Sequence, residues 1–189
     1  MISLIMAGGR ASRLGGIEKP LLRICGKVVI DVVIDVAKNF SREVYVAVSP
    51  HTRKVKEWVS SRGDVYIMET PGQGYSKDIE YSLNIIGRFP VLTLPADMPF
   101  ITVEVVRDFL EKALKSRKQV VTLMVRNCNI LREGPRGIAL FKSVGDDWED
   151  IPLCVYPDLL DIDTWSDVLE AEHVCGEDMA VFEGMRDLK

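Results

Sequence analysis

Short apolar runs and helical stripes alternate along this chain. Ile2–Ala7 is almost continuously apolar and stops at Gly8 and Gly9, as a buried strand feeding a loop would. Val28–Phe40 is rich in valine and isoleucine, residues that favour a strand, yet its polar residues Asp31, Asp35 and Lys38 fall at i, i+4 and i+7. A period of two would leave Lys38 on the wrong face, so the stretch is predicted as a helix buried on most sides. Glu43–Val48 predicts a second strand. Ser49-Pro50 opens a helix whose apolar face is Val55, Trp58 and Val59, and Gly63 closes it. Val65–Met68 predicts a third strand. The loop Pro71–Gly74 then leads into a helix carrying Ile79, Leu83 and Ile86 and closed by Gly87. Val91–Leu94 predicts a fourth strand, ending at Pro95-Ala96-Asp97-Met98-Pro99. Thr102 caps a helix with the face Val106, Phe109, Leu110, Ala113 and Leu114, and Val120–Val125 predicts a fifth strand.

Such unbroken alternation predicts an α/β fold, a three-layer sandwich with a mostly parallel sheet and helices on both faces. After Arg126 the rhythm changes. Asn127–Pro157 offers a strand at Gly137–Lys142 and an acidic stretch, Asp146–Asp150, expected to be a solvated turn. Leu159–Ile162 and Thr164–Glu172 predict a last strand and helix, with Thr164 and Asp167 spaced as a capping box. No repeat or low-complexity linker interrupts the 189 residues, so residues 1–189 are expected to form one domain.

Composition narrows the partners. Hydrophobic residues make up 47% and charged residues 28%, an ordinary globular mixture, and the formal net charge is −4. Mild acidity argues against nucleic acid held by broad phosphate neutralisation, though not against a small anionic substrate. Cys25, Cys128, Cys154 and Cys175 contain no C-x-x-C pair, and free thiols in a reducing cytoplasm are expected. His173 and Cys175 have no second ligand pair to complete a transition-metal site. The N-terminus lacks a basic n-region, so no signal peptide is expected. Val28–Ala37 is broken by Asp31 and Asp35 and is far shorter than the ~20 residues of a membrane span. A cytoplasmic protein without membrane or nucleic-acid partners is the expectation.

Two loops carry candidate chemistry. The first, Ala7 to Pro20, follows a predicted strand and holds Gly8, Gly9, Gly15 and Gly16 with the cations Arg10, Arg13 and Lys19. Glycines there let backbone N–H groups approach phosphate oxygens closely. It is neither a P-loop, since Lys19 precedes Pro20 and follows no glycine, nor a Rossmann fingerprint. The second places Asp97 directly after a buried strand between two prolines. A carboxylate so placed suits a hard cation such as Mg²⁺, which takes one or two protein carboxylates and fills its other positions with phosphate oxygens and water.

The strand followed by Ala7-Gly8-Gly9, then Arg13-Leu14-Gly15 and Lys19-Pro20, resembles the GT-A-like nucleotidyltransferases, which include molybdenum-cofactor guanylyltransferases and sugar-phosphate nucleotidyltransferases. The likeness extends to Asp97 and to Asp161-Ile162-Asp163-Thr164 with Asp167-Val168-Leu169, and is weakest over Asn127–Pro157. Gly16-Ile17-Glu18-Lys19-Pro20-Leu21, Cys25-Gly26-Lys27, Ser49-Pro50 and Gly72-Gln73-Gly74-Tyr75 with Asp78 are most similar to the archaeal GTP:adenosylcobinamide-phosphate guanylyltransferases. Pro135-Arg136-Gly137-Ile138-Ala139 is similar to that subfamily's Pro-Ala-Gly-x-Asn region but departs from it at Arg136 and Ala139.

The resemblance implies a nucleotide-diphospho-sugar transferase-like fold and transfer of GMP from GTP to a phosphate monoester, adenosylcobinamide phosphate, with release of pyrophosphate. It implies nucleotide contacts from Ala7, Gly8, Gly9, Arg10, Arg13, Gly15, Lys19, Gly72, Gly74, Tyr75 and Asp97. Arg13 and Lys19 would neutralise the phosphates and Asp97 would hold Mg²⁺. An ionised phosphate acceptor needs no general base. Tyr75 either stacks on the base or simply starts a helix. The resemblance also suggests a homodimer. Left open are a molybdenum-cofactor guanylyltransferase, a sugar- or polyol-phosphate nucleotidyltransferase, and an inactive nucleotide-binding regulator.

Overall fold

A computed structural model of the chain describes residues 1–9 and 14–184, with side chains to residue 176. Among the described residues, seven strands form one sheet. Their order is Tyr66–Glu69 (β5), Glu43–Val48 (β4), Ile2–Met6 (β1), Val91–Pro95 (β6), Gly134–Phe141 (β8), Val120–Val125 (β7) and Trp148–Pro152 (β9). β5, β4, β1 and β6 run parallel, as do β7 and β9, whereas β8 is antiparallel to both of its neighbours. A small antiparallel hairpin, Arg23–Ile24 (β2) with Lys27–Val28 (β3), stands apart from the sheet. The helices are Val29–Lys38 (α1), Arg53–Arg62 (α2), Tyr75–Ile86 (α3), Val103–Ala113 (α4) and Trp165–Gly184 (α5). No described helix is long and apolar enough to cross a membrane.

The alternating pleat of β1 divides the core. Ile2 and Leu4 pack with Ile79, Leu83 and Ile86 of α3 on one face. Ile5 faces the larger cluster, which draws in Val33 of α1, Val59 of α2, Phe109 of α4 and Val168 of α5. Helices therefore cover both faces, and the predicted three-layer α/β architecture holds. The polar stripe of α1 behaves as its spacing requires, because Asp31 and Asp35 both pair with Arg62 of α2. Gly63 and Gly87 end α2 and α3 in left-handed conformations. The Thr102 hydroxyl accepts from the Val105 N–H, and Asp167 and Thr164 cap α5 reciprocally.

Several expectations need correction. α2 starts at Arg53 rather than at Ser49-Pro50. Trp58 lies at the surface, its indole N–H donating to Asp31, and Leu114 is 62% exposed just beyond α4. The acidic stretch is not all turn: Trp148–Asp150 begins β9, because Thr122 and Arg126 donate to Asp150 and Lys118 pairs with Asp147. Leu159–Ile162 is no strand. Leu159, Leu160 and Ile162 are buried as an irregular plug while β9 occupies the sheet edge. The cysteines are not free thiols. Cys25 pairs with Cys175 and Cys128 with Cys154, at Cα separations of 5.4 and 5.6 Å. Both separations lie where a disulfide closes without moving backbone. The first bond ties the β2–β3 turn to α5, and the second joins the segments that follow β7 and β9.

Connectivity also fixes where a ligand can sit. From β1 the chain moves outward to β4 and β5, then returns to β6 on the other side of β1. That reversal opens a crevice beyond the carboxyl ends of β1 and β6, the usual ligand position in an open α/β sheet.

Candidate active site

A cleft of about 580 Å³ occupies this crevice. Of the residues predicted from sequence, Ala7, Gly8, Gly9, Lys19, Gly72, Gly74, Tyr75 and Asp97 line it together. Gly15 sits outside the lining, in the left-handed region at φ +66°. Arg10 and Arg13 lie outside the described residues. The lining residues absent from the predicted set include two carboxylates, Asp78 and Asp163.

Lys19 is the electrostatic centre. It begins a short 3₁₀ turn, Lys19–Leu21, anchored by the buried Pro20. Its ammonium donates to Asp163 Oδ1 at 2.6 Å and to Asp97 Oδ2 at 3.4 Å. Burial pushes the Asp97 carboxyl up to about 6; the charges of Asp161 and Asp163 add to this, and Lys19 opposes it. Burial also works against charge on Lys19, but the carboxylates of Asp97 and Asp163 outweigh it and hold the ammonium above its ordinary value. For Asp163 the opposing burial is likewise overcome, by Lys19 and then Arg132, so its carboxyl is lowered. An ammonium thus bridges two carboxylates that face the same space.

The segment bearing Asp163 is itself clamped. Arg132 donates to Asp163 Oδ2 at 2.8 Å and lies 3.5 Å from Asp161. Arg136, only 5% exposed, donates through Nε to the Leu159 carbonyl at 3.0 Å and through Nη2 to the Arg132 carbonyl. Its guanidinium also lies 3.7 Å from Asp161 Oδ1. Ile162 N–H donates to the Asp97 carbonyl at 2.9 Å, which locks the two acidic segments together. The departure at Arg136 therefore has a structural role. The signal for Asp163 in the sequence is the family-like segment Asp161–Thr164 in which it stands.

The glycine loops are more constrained than sequence suggests. Ala7 N–H is spent on the Ala47 carbonyl, and the Gly8 carbonyl accepts from the Ser49 hydroxyl at 2.8 Å. Gly9 has open space around it, so a ligand can approach its backbone closely. Asp78, 4% exposed, accepts from the N–H groups of both Gly72 and Gln73. Gly72 consequently shapes the wall and does not offer its N–H to a ligand. At φ +69°, a Cβ there would lie 3.1 Å from that of Ser49. Tyr75 starts α3 and also donates its hydroxyl to the Gly137 carbonyl at 3.0 Å, bridging from α3 to β8 across the cleft.

Comparisons with known proteins agree with this architecture. The sequence profile of the MobA-like NTP transferase domain matches residues 3–154. Adenosylcobinamide-phosphate guanylyltransferase of Methanocaldococcus jannaschii is 31% identical over 116 residues, 59% of each chain. A protein of Neisseria meningitidis assigned as a molybdenum cofactor guanylyltransferase is 30% identical over 118 residues, 57% of each chain. The matches thus span less than two thirds of these relatives' length. The crystal structure of molybdopterin-guanine dinucleotide biosynthesis protein A from Archaeoglobus fulgidus superposes with a TM-score of 0.68 at 19% identity, covering 94% of this chain and 100% of that one. At that identity the likeness bears on the fold.

Proposed function

Because the chain belongs to the MobA-like NTP transferase family, we propose that it transfers GMP from GTP to adenosylcobinamide phosphate and releases pyrophosphate. The observation that carries nucleotidyl transfer is the ammonium of Lys19 held between Asp97 and Asp163, in the cleft that the open backbone of Gly9 also lines. The choice of acceptor rests on the Methanocaldococcus relative and on the motifs around Lys19 and Tyr75.

In the proposed reaction a phosphate oxygen of the acceptor bonds to the α-phosphorus of the nucleotide. The bond from that phosphorus to the α–β bridging oxygen breaks, and pyrophosphate leaves with its electron pair. Lys19 stabilises the charge that builds on the phosphates, aided by Arg13 from its place in the motif. Gly8 and Gly9 let the triphosphate approach the β1 end. The acceptor arrives ionised, so no side chain must take a proton. The cleft fits Mg²⁺: two hard oxygen donors, Asp97 and Asp163, already share a bound cationic group, and phosphate oxygens would supply the remaining positions. When bound, Mg²⁺ would neutralise phosphate charge as a Lewis acid. Residues 1–189 would act as one catalytic unit.

Pyrophosphate release measured with each nucleoside triphosphate and each acceptor tests this reading. Turnover with GTP and adenosylcobinamide phosphate is expected, and Lys19→Ala should lower kcat more than it weakens GTP binding. The Neisseria relative supports one other acceptor, the molybdenum cofactor. Preferential turnover with it would reassign the substrate and keep the reaction. Tight GTP binding without turnover on any acceptor would refute the proposal.

A further inference from the structure

Lys19 hangs on a turn of three residues, and the residue just before it is tied elsewhere. The Glu18 carboxylate accepts from Lys54 N–H through Oε1 at 3.1 Å and from Val55 N–H through Oε2 at 2.7 Å. Those are the second and third residues of α2, whose amides have no partner within the helix. The helix supplies no cap of its own. Thr52, at the N-cap position, keeps its hydroxyl on the backbone of Ser49, and the first turn contains no acidic residue. A carboxylate from 36 residues earlier fills the place, where the helix dipole also favours negative charge.

The tie reaches Lys19 through a short, defined path. The Glu18 carbonyl accepts from Leu21 N–H at 2.9 Å and the Lys19 carbonyl from Leu22 N–H at 3.0 Å, which closes the turn. Upstream, Gly15 and Gly16 both have positive φ with nothing within 4 Å of where a Cβ would stand, and the loop is held there by the buried Leu14, whose carbonyl accepts from Ile17 N–H at 3.4 Å. From these contacts we infer that Glu18 is a positioning residue. By gripping the start of α2 with both oxygens, it sets where the Lys19 ammonium stands relative to Asp97 and Asp163. Glu18 does not line the cleft, and the inference rests on the proposed role of Lys19.

Glu18→Ala, Glu18→Gln, Lys54→Glu and the double variant Glu18→Ala/Lys54→Glu separate positioning from simple helix capping. Lys54 is exposed, so Lys54→Glu restores an acid to the first turn of α2 without reaching the loop. In pyrophosphate release, Glu18→Ala should lower kcat by about 10- to 100-fold with KM for GTP changed less than about threefold, since small misplacements of a charge-stabilising group act mainly on the transition state. Glu18→Gln, which keeps one strong acceptor, should fall between Glu18→Ala and the native enzyme. The double variant should recover melting temperature but not kcat; recovery of both together would make Glu18 a helix cap only and overturn the inference. Hydrogen exchange supplies a readout independent of turnover. The amides of Leu21 and Leu22 should exchange faster in Glu18→Ala, and unchanged protection would overturn the inference. Lys19→Ala distinguishes the failures: normal turnover there refutes the role of Lys19, whereas loss there with normal turnover in Glu18→Ala refutes only the role of Glu18.

Discussion

Replacing Asp97 by asparagine should make the metal-free protein more stable. Burial raises the Asp97 carboxyl from 3.8 to about 6, so keeping it ionised at pH 8 costs folding free energy. Each pKa unit corresponds to about 1.4 kcal/mol, which sets an upper figure of about 3 kcal/mol. A quarter of the side chain (25%) remains exposed. Solvent screening reduces the cost to about 2 kcal/mol. Asparagine keeps the shape and removes the charge. For a chain of this size, about 2 kcal/mol corresponds to a rise in melting temperature of about 4–8 °C. The sign with pH follows from linkage. The native state binds this proton more tightly than the unfolded state, so the penalty is absent below pH 3.8, grows through the interval up to about 6, and is complete above it. At pH 4.5 the gain from Asp97→Asn should have shrunk to about a third of its value at pH 8. Scanning calorimetry with chelator present, from pH 4.5 to 8, measures both the gain and its slope. A variant less stable than the native chain at pH 8, or a gain independent of pH, would refute the reasoning.

Two further outcomes follow from the clamps around the cleft. Reducing Cys25–Cys175 and Cys128–Cys154 releases the constraint on chain loops of 150 and 26 residues and should lower stability by about 3–5 kcal/mol for each bond. Thiol titration should find no reactive cysteine in the denatured, unreduced protein and four after reduction, and four before reduction would contradict the pairing. Arg136→Met removes the buried donor to the Leu159 carbonyl and leaves Asp161 short of a partner. Urea denaturation should show a loss of about 3 kcal/mol, and a change below about 0.5 kcal/mol would show that the clamp is idle.

What was legible in the sequence was mostly local. The period of α1, the glycine stops after α2 and α3, the Thr102 cap and the Thr164–Asp167 box each depend on residues within about a turn of one another. Such signals survive without knowledge of the rest of the chain. β8 and β9 were harder because their pairing is set by distant partners: β8 inserts antiparallel between β6 and β7, and Asp150 enters a strand only because Thr122 and Arg126 meet it. Leu159–Ile162 has the composition of a strand but packs as a plug, since the sheet edge is already taken by β9. The same division runs through the site. The glycine loop, Lys19 and Asp97 could be found because each follows a buried strand or stands in a long motif. Asp163 stands in a family-like segment, but its pairing with Lys19, the Arg136 contacts and the disulfides join residues far apart in the chain, with no fixed spacing to reveal them. Glu18 stood in plain view beside Lys19, but its partners on α2 were invisible without the fold.

The central claim, nucleotidyl transfer in the cleft between β1 and β6, is tested most directly by pyrophosphate release from GTP with adenosylcobinamide phosphate and Mg²⁺, comparing the native chain with Asp97→Ala. The account predicts acceptor-dependent turnover that Asp97→Ala abolishes while the fold persists. Turnover undiminished in Asp97→Ala, or GTP bound without pyrophosphate release on any phosphate acceptor, would contradict it.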